Sequence, residues 1–142
     1  MTPATSSAPR PPSGGVVLDA SALVEALVGT AVGVTVRERM RGRILHAPAH
    51  LDAEVLSALG RLHRAGELPT NTVAAMLNEL AIAPVRRHPL APLLVGAWER
   101  RAQLRLVDAL YVELASELGS LPLWSTDVRL ARASPLVELV SE

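Results

Sequence analysis

At 142 residues, with 14 basic and 14 acidic side chains, the chain has the length of one domain and no net charge. That balance excludes a whole-molecule field able to draw in nucleic acid or membrane, so any polyanion binding has to be local. There is no Cys and all 14 basic residues are Arg, which excludes disulfides, thiolate metal sites, P-loop chemistry and Lys Schiff bases.

Residues 1–15, MTPATSSAPRPPSGG, are rich in Pro, Ser and Ala without an apolar h-region. They read as a disordered tail and not as a signal peptide, leaving 16–142 as the folded domain. From there VVLD (16–19) is a short apolar run of the kind a buried parallel strand shows, and ASALVEALVG has helical spacing closed by Gly29. AVGVTVRERM predicts a helix, RILHA a strand, and HLDAEVLSALGRLHRAG an amphipathic helix ending at Gly66. A helix follows in PTNTVAAMLNELA, with Pro69 near its start, and APVRRH reads as a strand. PLAPLLVGAWERRA and LVDALYVELASELG predict two more helices, LPLWS a strand, DVRLARA a short helix and PLVELV a last strand. With no Phe, one Tyr and two Trp, the core must be built from Leu, Val, Ala and Ile. Strands alternating with helices imply an α/β fold, a mostly parallel five-stranded sheet flanked by helices. No apolar run approaches the roughly 18 residues that span a bilayer, so no membrane partner is expected. The absence of Cys fits a reducing, cytoplasmic setting.

In open parallel sheets ligands bind beyond the carboxyl ends of the strands. The four Asp residues are at 19, 52, 108 and 127; Asp19 closes the first predicted strand and Asp127 follows the fourth in LPLWSTD. Helix N-capping is the competing reading for both, and Ser125 and Thr126 compete with Asp127 for that role. Asp108 lies inside the apolar arc made by Leu104, Val107, Leu110, Tyr111, Val112, Leu114, Ala115 and Leu118, with Arg105, Glu113, Ser116 and Glu117 opposite. A lone carboxylate in an apolar face costs several kcal/mol unless it is paired or binds a cation. On the helix over 50–66, Asp52 and Glu54 sit on opposite margins of the stripe Leu51, Val55, Ala58, Leu59, Leu62, and periodicity does not choose between them.

Other groupings are weaker. His46 and His50 are four apart with Pro48 between them and without an H-E-x-x-H pattern, a poor zinc signal. The run RERMRGR (37–43) and the group Arg100, Arg101, Arg105 suit either RNA phosphates or solvated helix faces. With so few aromatic residues, recognition of a nucleic acid would lean on backbone charge and shape.

VVLDASALVEAL, APAHLDAEVLSALGRL, LRLVDALYVELASELG and LPLWSTDVRLAR occur in the order and at about the spacing of the PIN-domain family, and in detail resemble its VapC-type toxins. The resemblance covers nearly all of the chain from Val16 onward. It implies a PIN-like three-layer sandwich and an acidic quartet that binds Mg2+ or Mn2+ and hydrolyses RNA. Position by position, the family's acids match Asp19, Glu54, Asp108 and Asp127, and its hydroxyls match Ser21 and Ser125. The resemblance thus selects Glu54 over Asp52. It implies Asp19 and Asp108 as direct metal ligands, Glu54 positioning the metal or its water, Asp127 binding a second ion or a metal-bound water, and Ser21 and Ser125 supporting them or touching phosphate. It also implies an RNA substrate, a VapB-type antitoxin and a homodimer; the apolar helices near 24–36 and 72–83 suit either partner surfaces or core packing, which explains their stripes at least as well. A PIN nuclease of RNA maturation or decay, and a non-catalytic PIN-like binding module, stay open beside the toxin. A haloacid-dehalogenase-type phosphatase would need an Asp where Ser21 stands, and a response-regulator receiver a Lys.

The chemistry is consistent with that implication. Carboxylates about 5 Å apart at an effective dielectric near 20 repel by roughly 3 kcal/mol per pair. Several such pairs approach a typical total stability of about 5–15 kcal/mol, so the group needs a cation, protonation or separation. Hard oxygen donors favour Mg2+ or Mn2+ over zinc.

Overall fold

A computed structural model describes residues 15–142; residues 1–14, which carry nearly all of the expected tail, lie outside the described residues. Five strands, β1 (Val16–Leu18), β2 (Leu45–Pro48), β3 (Val85–His88), β4 (Leu123–Ser125) and β5 (Val137–Leu139), form one sheet in the order β3-β2-β1-β4-β5. Every pairing is parallel, with Val17 opposite both His46 and Leu123. Parallel strands must be covered on both faces, and β1 is: Val16, Val17 and Leu18 are fully buried.

The helices are α1 (Ala20–Val28), α2 (Ala31–Met40), α3 (Leu51–Arg64), α4 (Thr70–Ile82), α5 (Leu94–Glu99), α6 (Leu106–Glu117) and α7 (Val128–Ala133). Helices α1 to α4 pack on one another, while α5 packs on α6. Leu51, Val55 and Leu59 of α3 and Tyr111, Val112 and Ala115 of α6 are buried in the core, as their spacing predicts. Helix α1 ends at Gly29 in the left-handed region (φ 84°), where a residue without Cβ carries no strain. Helix α2 then turns back at 109° to α1, and the two come so close that a Cβ on Gly33 would collide with the Glu25 backbone oxygen. No single described helix is long and apolar enough to cross a membrane.

The sequence expectation fails in one element. PLAPLLVGAWERRA is a 3-10 turn at Ala91–Leu93 followed by a six-residue helix, Leu94–Glu99, and not one continuous helix. Pro92 cannot donate to an α-helical ladder, and the backbone tightens around it. Val107 also departs from the expected apolar arc: it is exposed in the first turn of α6, as is Leu106 beside it.

The strand order fixes where a ligand can lie. From β1 the chain runs outward through β2 to β3, then returns to the other side of β1 for β4 and β5. The order reverses at β1, so the crevice opens beyond the carboxyl ends of β1 and β4. Asp19 immediately follows β1, and Asp127 follows β4 with Thr126 between.

Candidate functional site

A cleft of about 420 Å3 lies at that reversal, lined by Asp19, Ser21, Glu54, Asp108 and Asp127 together with Glu25, Arg61, Arg105, Tyr111 and Thr126. The four acids selected in the sequence therefore come from four elements to one cleft. Asp52 does not. It turns to the far margin of α3, where Arg87 binds it through Nε and Nη2 at 3.0–3.3 Å. The same guanidinium bonds the carbonyls of Leu80, Ala83 and Val85, tying α3 to the end of α4 and the start of β3.

Asp19 is both a cap and a cleft residue. Its Oδ1 accepts from the Ala22 amide at 2.9 Å, closing the first turn of α1, and from the Ser21 hydroxyl at 2.7 Å. Burial pushes its pKa up; the Ser125 and Ser21 hydroxyls and the Ala22 amide work against that, and the Asp108 charge adds to it. The donors around it leave the buried charge under-compensated. Asp127 likewise caps α7, accepting from the Arg129 amide at 2.9 Å.

The two serines join the strand ends. Ser21 Oγ accepts from the Thr126 amide at 3.1 Å and lies 3.3 Å from the Ser125 hydroxyl, which in turn accepts from the Asp127 amide at 2.9 Å. Ser125 is fully buried. This chain of hydroxyls holds the β4–α7 turn against the β1–α1 turn and so sets where Asp127 stands relative to Asp19.

Glu54 is held from α6. The Tyr111 phenol donates to Glu54 Oε1 at 2.6 Å, and His50 Nε2 lies 3.4 Å from the same oxygen. Burial, then the Glu54 carboxylate, push the Tyr111 pKa far above its ordinary 10.0, so the phenol keeps its proton and donates at every working pH. The chain's one Tyr inside an apolar arc was the available signal, because a buried phenol needs a partner. The His46–His50 zinc reading ends here: His46 Nδ1 instead bonds His88 Nε2 at 2.9 Å across β2 and β3, while His50 turns to Glu54 and Val107.

Asp108 resolves the carboxylate in the apolar arc. Its side chain is 19% exposed and accepts from Arg105 Nε at 3.0 Å. A helical wheel puts Arg105 on the opposite side, but Arg105 is the N-cap of α6 with extended backbone (φ −63°, ψ 144°), outside the helical period, and its side chain reaches forward to Asp108.

The profile of the PIN-domain family matches residues 16–135. The chain belongs to that family. Among curated relatives it is 55% identical over 130 residues, 91% of this chain and 94% of the other, to Ribonuclease VapC3 of Mycobacterium tuberculosis. Among solved structures it resembles a toxin-antitoxin complex from Klebsiella pneumoniae (TM-score 0.67, 15% identity, 90% of this chain and 99% of that one). It also resembles Mycobacterium tuberculosis VapC20, described as a Sarcin-Ricin loop cleaving toxin (TM-score 0.65, 19% identity, 84% and 95%).

The donors of this PIN domain suit a hard cation. They are all carboxylate and hydroxyl oxygens, and Mg2+ needs only one or two carboxylates while keeping several waters. Among the described residues no three His, Asp or Glu side chains stand close enough to enclose an ion, so the set suits a hydrated ion held at one or two points and not a closed cage. Of the basic groups named from the sequence, Arg37 is spent on Glu79 and the Ala26 carbonyl, Arg100 on Glu113, and Arg101 on the Trp98 carbonyl and ring. Arg105 alone of those four reaches the cleft, joined from α3 by Arg61, which sequence reasoning passed over.

Proposed function

We propose that this PIN domain is the toxin of a type II toxin-antitoxin pair, an endoribonuclease that hydrolyses RNA phosphodiester bonds at the acidic cleft with Mg2+ or Mn2+. The observation that carries the reading is the convergence of Asp19, Glu54, Asp108 and Asp127 at the sheet's reversal point. It is joined by 55% identity to a ribonuclease over 91% of the chain.

Asp19 and Asp108 would hold the cation directly, Glu54 would position it or its water, and Asp127 would hold a second ion or a bound water. A divalent ion there supplies a water of lowered pKa and neutralises charge on the phosphodiester. Tyr111 keeps Glu54 fixed and accepting, Ser21 and Ser125 hold Asp127 in register with Asp19, and Arg61 and Arg105 offer guanidinium donors to the RNA backbone. A cytoplasmic location follows from an RNA substrate. Two surfaces suit partners. Leu94, Val95 and Trp98 of α5 with Leu106 and Val107 of α6 are exposed apolar residues that fit a homodimer contact. An apolar groove between α1, α2 and the end of α4, including the exposed Ile82, fits a VapB-type antitoxin.

The test is in cells. Induced wild-type protein is expected to arrest growth with fragmentation of cellular RNA, and Asp108→Asn at the same level is not. Unimpeded growth with abundant soluble wild type would rule out the toxin reading.

A further inference from the structure

The pairing at Asp108 bears on how the cleft works. Arg105 has Asp108 as its one hydrogen-bond acceptor among the described residues, through a single nitrogen at 3.0 Å. The two partners are unequally placed: the Arg105 side chain is 70% exposed and that of Asp108 19% exposed. An ion pair with one end in water is weak, so the guanidinium can leave at little cost. It sits on extended backbone ahead of α6 and can swing without disturbing the helix. Arg105 lines the same cleft as Asp19, Glu54 and Asp127. Asp19, by contrast, has no cationic partner among the described residues, while Asp108 presents one of its two oxygens to an arginine.

We propose that Arg105 is a displaceable counter-ion of the cleft: it holds Asp108 in the metal-free, RNA-free protein and moves to an RNA phosphate when a divalent cation takes that carboxylate. This rests on the metal-dependent ribonuclease reading above and adds an order of events to it. Asp108 is paired with Arg105 at rest and exchanges that guanidinium for the metal. The released guanidinium and that of Arg61, which lines the same cleft, are then both free to meet RNA phosphates. The same pairing gives a physical reason why the carboxylates do not already form a cage: Asp108 is turned to Arg105.

The test uses the full chain and reads binding, not turnover. Mn2+ affinity is measured by calorimetry or electron paramagnetic resonance without RNA, for wild type, Arg105→Gln, Arg105→Lys and Arg61→Gln. Removing the competing cation is expected to tighten Mn2+ about two- to fivefold in Arg105→Gln. Arg105→Lys should return toward wild type, and Arg61→Gln should change affinity less than Arg105→Gln. With Mn2+ present, Arg105→Gln should bind a non-cleavable 2′-O-methyl RNA more weakly and lower the salt slope by about 0.7. Unchanged or weaker Mn2+ binding in Arg105→Gln, equal tightening in Arg61→Gln, or an unaltered RNA salt slope would each overturn the proposal. Wild type that binds Mn2+, with that binding lost in Asp108→Asn, leaves the ribonuclease reading standing whatever Arg105 does. Wild type that binds no Mn2+ removes both.

Discussion

Asp19→Asn separates stability from function in a way that a purely structural cap does not. The asparagine oxygen still accepts from Ala22 and Ser21, so the cap of α1 is retained. What disappears is a buried charge facing Asp108. Burial of that charge is the larger cost, and the repulsion from Asp108 adds a smaller one to it. The Arg105 charge beside Asp108 offsets part of that repulsion, and the two bonds to Asp19 weaken when their acceptor becomes neutral. The net expectation is a metal-free protein more stable by about 1 kcal/mol, which raises the melting temperature by about 3 °C in EDTA at pH 7.5. The sign with pH follows from the raised folded-state pKa. The folded wild type binds a proton that the unfolded chain does not between that pKa and the ordinary 3.8, so this group's destabilisation is full above the raised pKa and fades as pH falls through it. The gap between variant and wild type should therefore close in mildly acidic buffer. Saturating Mg2+ should reverse the order at pH 7.5, because only wild type gains the binding energy, about 2.7 kcal/mol at a hundredfold excess over Kd. A variant that melts lower than wild type in EDTA, or an order that Mg2+ leaves unchanged, would refute this reasoning.

Tyr111→Phe keeps the ring packing and removes the 2.6 Å bond to Glu54; it should lower stability by about 1–2 kcal/mol and cut RNA cleavage about tenfold, read by thermal melting and single-turnover kinetics. Asp52→Ala breaks the contact to Arg87 and should cost about 0.5–1 kcal/mol, since Asp52 is 47% exposed, while leaving cleavage within twofold; Glu54→Gln on the same helix should abolish it. His46 is held below its ordinary 6.5 by burial, then by His88 and Arg86, so the unfolded chain takes up a proton first and stability should fall as pH drops below 6.5. His46→Gln should flatten that limb of the stability profile, which urea melts at pH 5 to 7 would read.

Asp19 and Asp127 were legible because a carboxylate just after an apolar strand has few places to go but the sheet's carboxyl edge, and the capping alternative proved to be the same geometry and not a rival to it. Asp108 was legible as a charge where none belongs, but its partner was not: Arg105 lies one residue outside the helix, where a wheel assigns directions that the backbone does not follow. Asp52 and Glu54 are symmetric about the α3 stripe, so the choice between them depends on tertiary partners, Arg87 for one and Tyr111 for the other. The sheet was readable from alternation, whereas the break of the fifth predicted helix depended on how the backbone resolves a proline two residues before its first regular turn.

The most direct test of the cleft as a metal-dependent ribonuclease is cleavage of a structured RNA by purified protein across a Mg2+ titration, for wild type and Asp108→Asn. The account predicts cleavage by wild type that rises and saturates with Mg2+ and vanishes in EDTA, with none above background from a folded Asp108→Asn. Equal cleavage with Mg2+ and EDTA, or full activity in Asp108→Asn, would contradict it.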